Sequence, residues 1–378
     1  MMTELFRLED VTFAHNPNVP PVMDGFNLTI EGGRRTAVLG ANGAGKTTLF
    51  YTLTGVHRPQ KGQVLYNGSP IDYTREGLRD LRSDVAVVLQ NPDEQIFCSL
   101  VEEDVAFGPL NLGIDRDEVE ARVEKALRDM RISEYARRPL QQLSGGQRKR
   151  VAIAGALAMQ PKIMIMDEPT AGLDPQASME VMELAEKLRL NGVTVLISTH
   201  DIDLVYRWAD VSDVLNNGKI EFTGDADEFY SDPERVYDCG LLIPSVYGMN
   251  KDVSAVNGMD ASPYPHSCSE FTAKFGRPSE VGTVYCVPVE EAEAADRYDS
   301  VMKDMRGMCT GVYGPDVRYA LRERDVEFRF DAVDACFLKA VEGKDTVLFY
   351  DPIYDVSVKE QAKRLGAFGA DIRTEAVR

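Results

Sequence analysis

Gly40-Ala-Asn-Gly-Ala-Gly-Lys-Thr47 fits the pattern G-x-x-x-x-G-K-[ST]. Glycines at 40, 43 and 45 let backbone N–H groups wrap phosphate oxygens without Cβ clashes, and Asn42 and Ala44 fill the turn. A helix opening at Lys46, Thr47 and Thr48 adds the positive end of its dipole. Lys46 supplies a point charge to the β- and γ-phosphates, and the Thr47 hydroxyl suits Mg²⁺. Four fixed positions of this kind arise by chance in roughly one such chain in a hundred. A second group ends the apolar run Ile163–Met166, where Asp167 and Glu168 follow each other. The first carboxylate suits Mg²⁺, reached through water. The second is placed to take a proton from an attacking water. Between the two groups lies Leu143-Ser144-Gly145-Gly146-Gln147.

The elements that position these residues follow an α/β pattern. Strand candidates are Thr36–Leu39, Val85–Leu89, Ile163–Met166 and Val193–Ser198. The later runs lack polar alternation, as parallel strands covered on both faces do. Val119–Met130 has the spacing of an amphipathic helix, within a helical stretch from about 100 to 160. The chain has 378 residues, which makes two domains the default. It is 44% hydrophobic and 27% charged, with no apolar run near the roughly 18 residues of a bilayer span. No secretory signal pattern opens it, so a membrane role has to come through a partner. Net charge is −19, from 42 Lys+Arg against 61 Asp+Glu, which argues against broad nucleic-acid binding. Six cysteines without a CxxC fit a reducing cytosol rather than a disulfide framework.

With these motifs in this order, residues 1–245 resemble an ATP-binding cassette (ABC) ATPase: a RecA-like core with a helical signature subdomain. The resemblance assigns further roles. Gln90 takes the place of the Q-loop glutamine beside Mg²⁺ and the attacking water. Ala171-Gly-Leu-Asp174 stands at the D-loop, and His200 at the switch histidine of the γ-phosphate. Ser144, Gly145, Gly146 and Gln147 of one subunit cover ATP bound to Lys46 of another, so hydrolysis implies a head-to-tail dimer. His15 stands where the family stacks an aromatic residue on adenine. The tracts Gln90–Phe97, Val101–Gly113 and Arg148–Ala158 further resemble energy-coupling factor (ECF) importers, those of cobalt and nickel uptake above all. That implies a homodimer on the cytoplasmic face of the membrane, with a coupling (T) and a substrate-binding (S) subunit and a cobalt, nickel or vitamin cargo. A groove lined by Phe97, Val101 and Phe107, beside Glu102, Glu103 and Asp104, suits an amphipathic helix carrying Arg.

Gly-, Asn-, Ser- and Pro-rich residues 246–265 read as a linker. A smaller α/β domain then spans 266–378, regulatory or dimerising, with strands expected at Gly282–Val289, Gly311–Tyr313, Val326–Phe330 and Thr346–Tyr350. Its strand ends could take a small ligand. A metal-sensing role for His266, Cys268, Cys286, Cys309 and Cys336 is weighed against ordinary buried cysteines.

Overall fold

The computed structural model describes residues 4–16, 18–276 and 280–377. It divides into two compact units. The first comprises residues 1–174 and 191–242, the second 175–190 and 243–378.

Among the described residues the first unit holds ten strands. In chain order β1 is Glu4–Phe13, β2 Met23–Glu31, β3 Arg35–Leu39, β4 Lys61–Tyr66 and β5 Ser69–Pro70. After these come β6 Val85–Val88, β7 Ile163–Asp167, β8 Thr194–Ser198, β9 Val211–Asn216 and β10 Lys219–Gly224. An antiparallel sheet runs β2-β1-β4-β5. The six-stranded sheet runs β10-β9-β3-β8-β7-β6 and is parallel from β9 to β6. Its central strands β7 and β8 are buried at every position, as expected of strands covered on both faces. Phe6, Phe26, Leu49, Phe50, Ile165 and Leu196 belong to one core shared by both sheets. Removing such apolar surface from water contributes about 25 cal/mol per Å² to stability.

Parallel pairing puts the carboxyl ends of β3, β8, β7 and β6 side by side, and the loops leaving them carry Lys46, His200, Glu168 and Gln90 in that order. Ligands of open α/β sheets bind at that edge. The signature helix Gly145–Ala158 packs on two helices of its subdomain, Val101–Asn111 and Arg116–Asp129.

The second unit has a parallel sheet of β11 (Thr283–Pro288), β12 (Cys309–Tyr313), β13 (Thr346–Tyr350) and β14 (Arg373–Ala376), in the order β12-β13-β11-β14. Three of the four expected strands form. Val326–Phe330 does not: it meets β12 through an isolated bridge between Phe328 and Gly311 and a bond from Glu327 N to Thr310 Oγ1 at 3.4 Å, without forming a ladder. The fourth strand is β14, exposed at every residue and hence without an apolar signal. The stretch expected as a linker contains a helix, Ser245–Val256. Its buried face is Tyr247, Asn250 and Ser254, largely polar, so apolar periodicity does not reveal it. Asn250 is fixed by donating to Ala261 O at 2.8 Å and accepting from Lys274 Nζ at 2.8 Å. The helix Pro175–Leu190, inside the expected 1–245 domain, clusters with the second unit.

Candidate active site

The phosphate loop is shaped by the backbone. Gly40 has φ 143°, and a Cβ there would lie 2.4 Å from Leu215 O, so only glycine fits. The helix Lys46–Leu53 starts at Gly45, and Lys46 Nζ donates to Gly40 O at 2.7 Å and Ala41 O at 3.3 Å. Lys46 is buried, which lowers its pKa, while Glu168 and Asp167 pull it back up. Asn42, Gly43 and Thr47 are exposed at the mouth of the loop; Ala44 and Thr48 are buried behind it.

Thr47 Oγ1 donates to Asp167 Oδ2 at 2.6 Å. Ser198 Oγ donates to Asp167 Oδ1 at 2.5 Å. The pairing of Asp167 with Ser198 across β7 and β8 sets this contact. A hydroxyl and a carboxylate side by side are the hard oxygen donors that suit Mg²⁺.

Glu168 lies one residue further on, with φ 47°, a left-handed conformation costly for a side chain of this type. Its N–H donates to both Ser198 O and Ser198 Oγ at 3.0 Å, which holds the bend. Its Oε2 accepts from His200 N at 3.1 Å. Its Oε1 lies 3.0 Å from His200 Nε2, without the alignment of a hydrogen bond, and 3.9 Å from Lys46 Nζ. Burial raises the carboxyl's pKa, against the pull of His200 and Lys46. A carboxylate raised toward neutrality is better matched to taking a proton from water near pH 7. One cluster therefore joins a cation, a metal-competent pair, a base and a half-exposed histidine.

Ser198 was not among the expected site residues. Ser198→Ala is expected to raise the Mg²⁺ concentration for half-maximal ATP hydrolysis about tenfold, as loss of a partner of a metal ligand does. A metal titration unchanged from that of the natural chain would show that Asp167 orients itself.

The signature tract is built by a capping box. Ser144 Oγ accepts from Gln147 N at 3.3 Å, and Gln147 Oε1 accepts from Ser144 N at 2.9 Å. Ser144 and Gly145 are exposed, Gly146 and Gln147 half-buried. Two residues on, Lys149 is buried and donates to Leu89 O and Gln90 O, both at 2.9 Å, and to Glu168 O at 3.3 Å. Burial pushes this lysine down to about 8, while Asp167 and Glu168 pull it up. Arg148 Nε lies 2.8 Å from an oxygen of Asp93, and Gln95 Oε1 accepts from Leu89 N at 2.8 Å. One helix thus ties the loop after β6 to the backbone of Glu168.

The ABC transporter family model matches residues 23–171. The chain is 47% identical over 238 residues to the energy-coupling factor transporter ATP-binding protein EcfA of Methanocaldococcus jannaschii, covering 63% of this chain and 85% of that protein. This chain belongs to the ECF transporter ATP-binding proteins. As a member of that ABC family it is an ATPase. It is 34% identical over 368 residues to the ECF transporter ATP-binding protein EcfA2 of Methanospirillum hungatei, covering 92% of this chain and 89% of that one. That match runs into the second unit, which is therefore not peculiar to this ATPase. The solved structure of cbiO1 from Clostridium perfringens, described as part of the ABC transporter complex cbiONQ, covers 68% of the chain and 98% of that protein at 36% identity and a TM-score of 0.56.

Of the expected site residues of this ECF ATPase, Lys46, Thr47, Asp167, Glu168 and His200 converge. Gln90 and Asp174 are exposed at the carboxyl ends of their segments. Among the described residues no hydrogen bond or ion pair joins Ser144, Gly145 or Gly146 to Lys46, Asp167 or Glu168. His15 is exposed but not isolated. Its ring lies 5.2 Å from Phe13 and 5.3 Å from His57, and His57 stacks on Phe13 at 4.3 Å. His57 belongs to this ring cluster, meeting Tyr51 edge to face at 5.2 Å as well. In the expected groove, Val101 is fully buried and lines nothing, because it faces the subdomain core. Phe97 and Phe107 meet edge to face at 4.5 Å, 65% and 43% exposed, and Leu110 at 48% takes the place expected of Val101. Asp104 is spent on the backbone N–H groups of Phe97 and Cys98. All six cysteines are free, and among the described residues no three His, Cys, Asp or Glu side chains gather to hold a metal.

Proposed function

We propose that this ATPase drives an ECF-type importer of a transition-metal ion, cobalt first and nickel second. What supports the cargo class is the resemblance of the tracts Gln90–Phe97, Val101–Gly113 and Arg148–Ala158 to the importers of cobalt and nickel, and the likeness to cbiO1, at 36% identity over nearly all of that protein, agrees with an importer of the ECF type. ATP binds the Gly40–Thr48 loop with adenine against His15, and Mg²⁺ is held by Thr47, Asp167 and Gln90, where it neutralises phosphate charge. Two copies close head to tail, so that Ser144, Gly145, Gly146 and Gln147 of each, with Asp174 nearby, complete the other's site. Glu168 takes the proton of the attacking water while Lys46 and His200 stabilise developing charge on the γ-phosphate.

Among the described residues no helix is long and apolar enough to cross a membrane. In this reading the ATPase works on the cytoplasmic face through the T subunit, whose amphipathic helix lies on Phe97, Phe107 and Leu110. Exposed aromatic patches of this kind mark partner sites. Replacing Phe97 and Phe107 together by Ser is expected to abolish co-purification with the T subunit and leave ATP hydrolysis by the chain alone within about twofold. Retained co-purification would move the docking site elsewhere. Uptake of labelled cobalt and nickel by cells carrying the complete transporter tests the cargo, and uptake of biotin but neither metal would replace the proposal by a vitamin importer.

A further inference from the structure

The second unit presents the carboxyl ends of β12 and β13 side by side, the edge at which a parallel sheet of this kind takes a ligand. Here that edge is filled by the helix Pro175–Leu190 of the same unit. Lys187 Nζ lies 2.7 Å from Asp316 Oδ2, after β12, and 3.6 Å from Asp351 Oδ2, after β13. Tyr354, wholly buried, donates through its hydroxyl to Glu183 O at 3.0 Å. Gly314 makes room for it: a Cβ there would lie 2.7 Å from the Tyr354 ring. Ser357 Oγ donates to Glu186 Oε1 at 2.7 Å. At the centre, Arg318 donates to Glu183 Oε1, and both side chains are buried. The Arg318 guanidinium also covers the Phe330 ring at 4.6 Å. Glu183 Oε2 and Arg318 Nη1 have no hydrogen-bond partner, so the pair is held by a single contact. Such a pair adds little net stability, but removing either partner alone is costly because it leaves an uncompensated buried charge.

The held helix is not a neutral handle. Its first residue follows Asp174 directly, and only the turn from Pro169 to Asp174 separates it from Glu168. That turn is tight: Ala171 N donates to Glu168 O at 3.1 Å and Leu173 N to Thr170 O at 3.2 Å. The geometry points to a positioning role for the second unit in ATP hydrolysis: its strand-end crevice takes the Pro175–Leu190 helix as its ligand, through Arg318–Glu183 and Lys187 between two aspartates, and so sets the D-loop turn and the reach of Glu168. The inference concerns hydrolysis and is independent of the cargo.

The test uses the full-length chain with Glu183→Gln, Arg318→Met, the two combined, and Lys187→Gln. Each buried single variant should lose about tenfold in kcat with KM for ATP within about twofold, because a displaced base slows the chemical step without weakening ground-state binding. The combined variant removes both charges and should return to within about twofold of the natural kcat. Lys187→Gln, at a half-buried site that folding tolerates, should lose about threefold. Natural kcat in all four would overturn the inference. So would losses that merely follow the fraction of protein able to bind ATP, measured by nucleotide titration, since that is the signature of unfolding.

Discussion

Glu168→Gln is expected to lower steady-state ATP turnover by about a thousandfold, the middle of the range that losing a positioned proton acceptor costs. The substitution keeps shape and most contacts. A Gln carbonyl can still accept from His200 N, the backbone bonds to Ser198 are untouched, and the φ of 47° is held by them. What is lost is basicity at a site where burial has already raised the acid's pKa. ATP affinity should be unchanged or higher, because removing a buried negative charge near Lys46 favours an anionic ligand. The measurement is steady-state phosphate release, with gel filtration in ATP to detect a persistent dimer. Turnover like that of the natural chain would remove Glu168 from the chemistry altogether.

Lys149→Met carries the largest expected effect on stability. The buried ammonium donates to three carbonyls, those of Leu89, Gln90 and Glu168; the last also accepts from Ala171 N, so loss of the lysine leaves the first two without this donor. A buried acceptor left unpaired costs about 1–3 kcal/mol, and relief of the lysine's own desolvation offsets part of it. A net loss of about 3 kcal/mol in unfolding free energy is the expected outcome. Turnover should fall about tenfold as well, since the loop after β6 and the Glu168 backbone lose their shared tether. Lys149→Arg, which can still donate to several carbonyls, should recover part of both. A denaturant midpoint equal to that of the natural chain would show that the three bonds contribute nothing net.

Much of the site could be read from the chain because its motifs are local. Gly40–Thr47 lie on one turn, Asp167 and Glu168 are adjacent, and the capping of the signature helix needs only Ser144 and Gln147. What the sequence concealed depends on pairing between distant strands and helices. Ser198 looks like the end of an apolar run until β7 is set beside β8. Lys149 looks like one of three consecutive basic residues on a helix, and nothing in Arg148-Lys-Arg150 says that the middle one is buried beneath the loop after β6. The same limit explains Val101, apolar enough for a groove but turned toward the core. In the second unit, β11, β12 and β13 carry apolar runs and were legible, whereas the exposed β14 and the polar-faced Ser245–Val256 helix carry no such signal.

The helix Pro175–Leu190 and residues 243–378 form one unit although 52 residues, Asn191–Leu242, intervene in the chain. No single cut therefore separates this protein into its two folded parts. A chain shortened after Leu242 would keep Glu183, Lys187 and Leu190 while losing Arg318, Asp316, Asp351 and the apolar cluster on which Leu190 packs. Such a fragment is expected to unfold at lower denaturant than the whole chain, and a midpoint equal to that of the whole chain would show that these contacts add nothing to it. The second unit is thus continuous in space but discontinuous in sequence, with its first helix encoded far upstream of the rest.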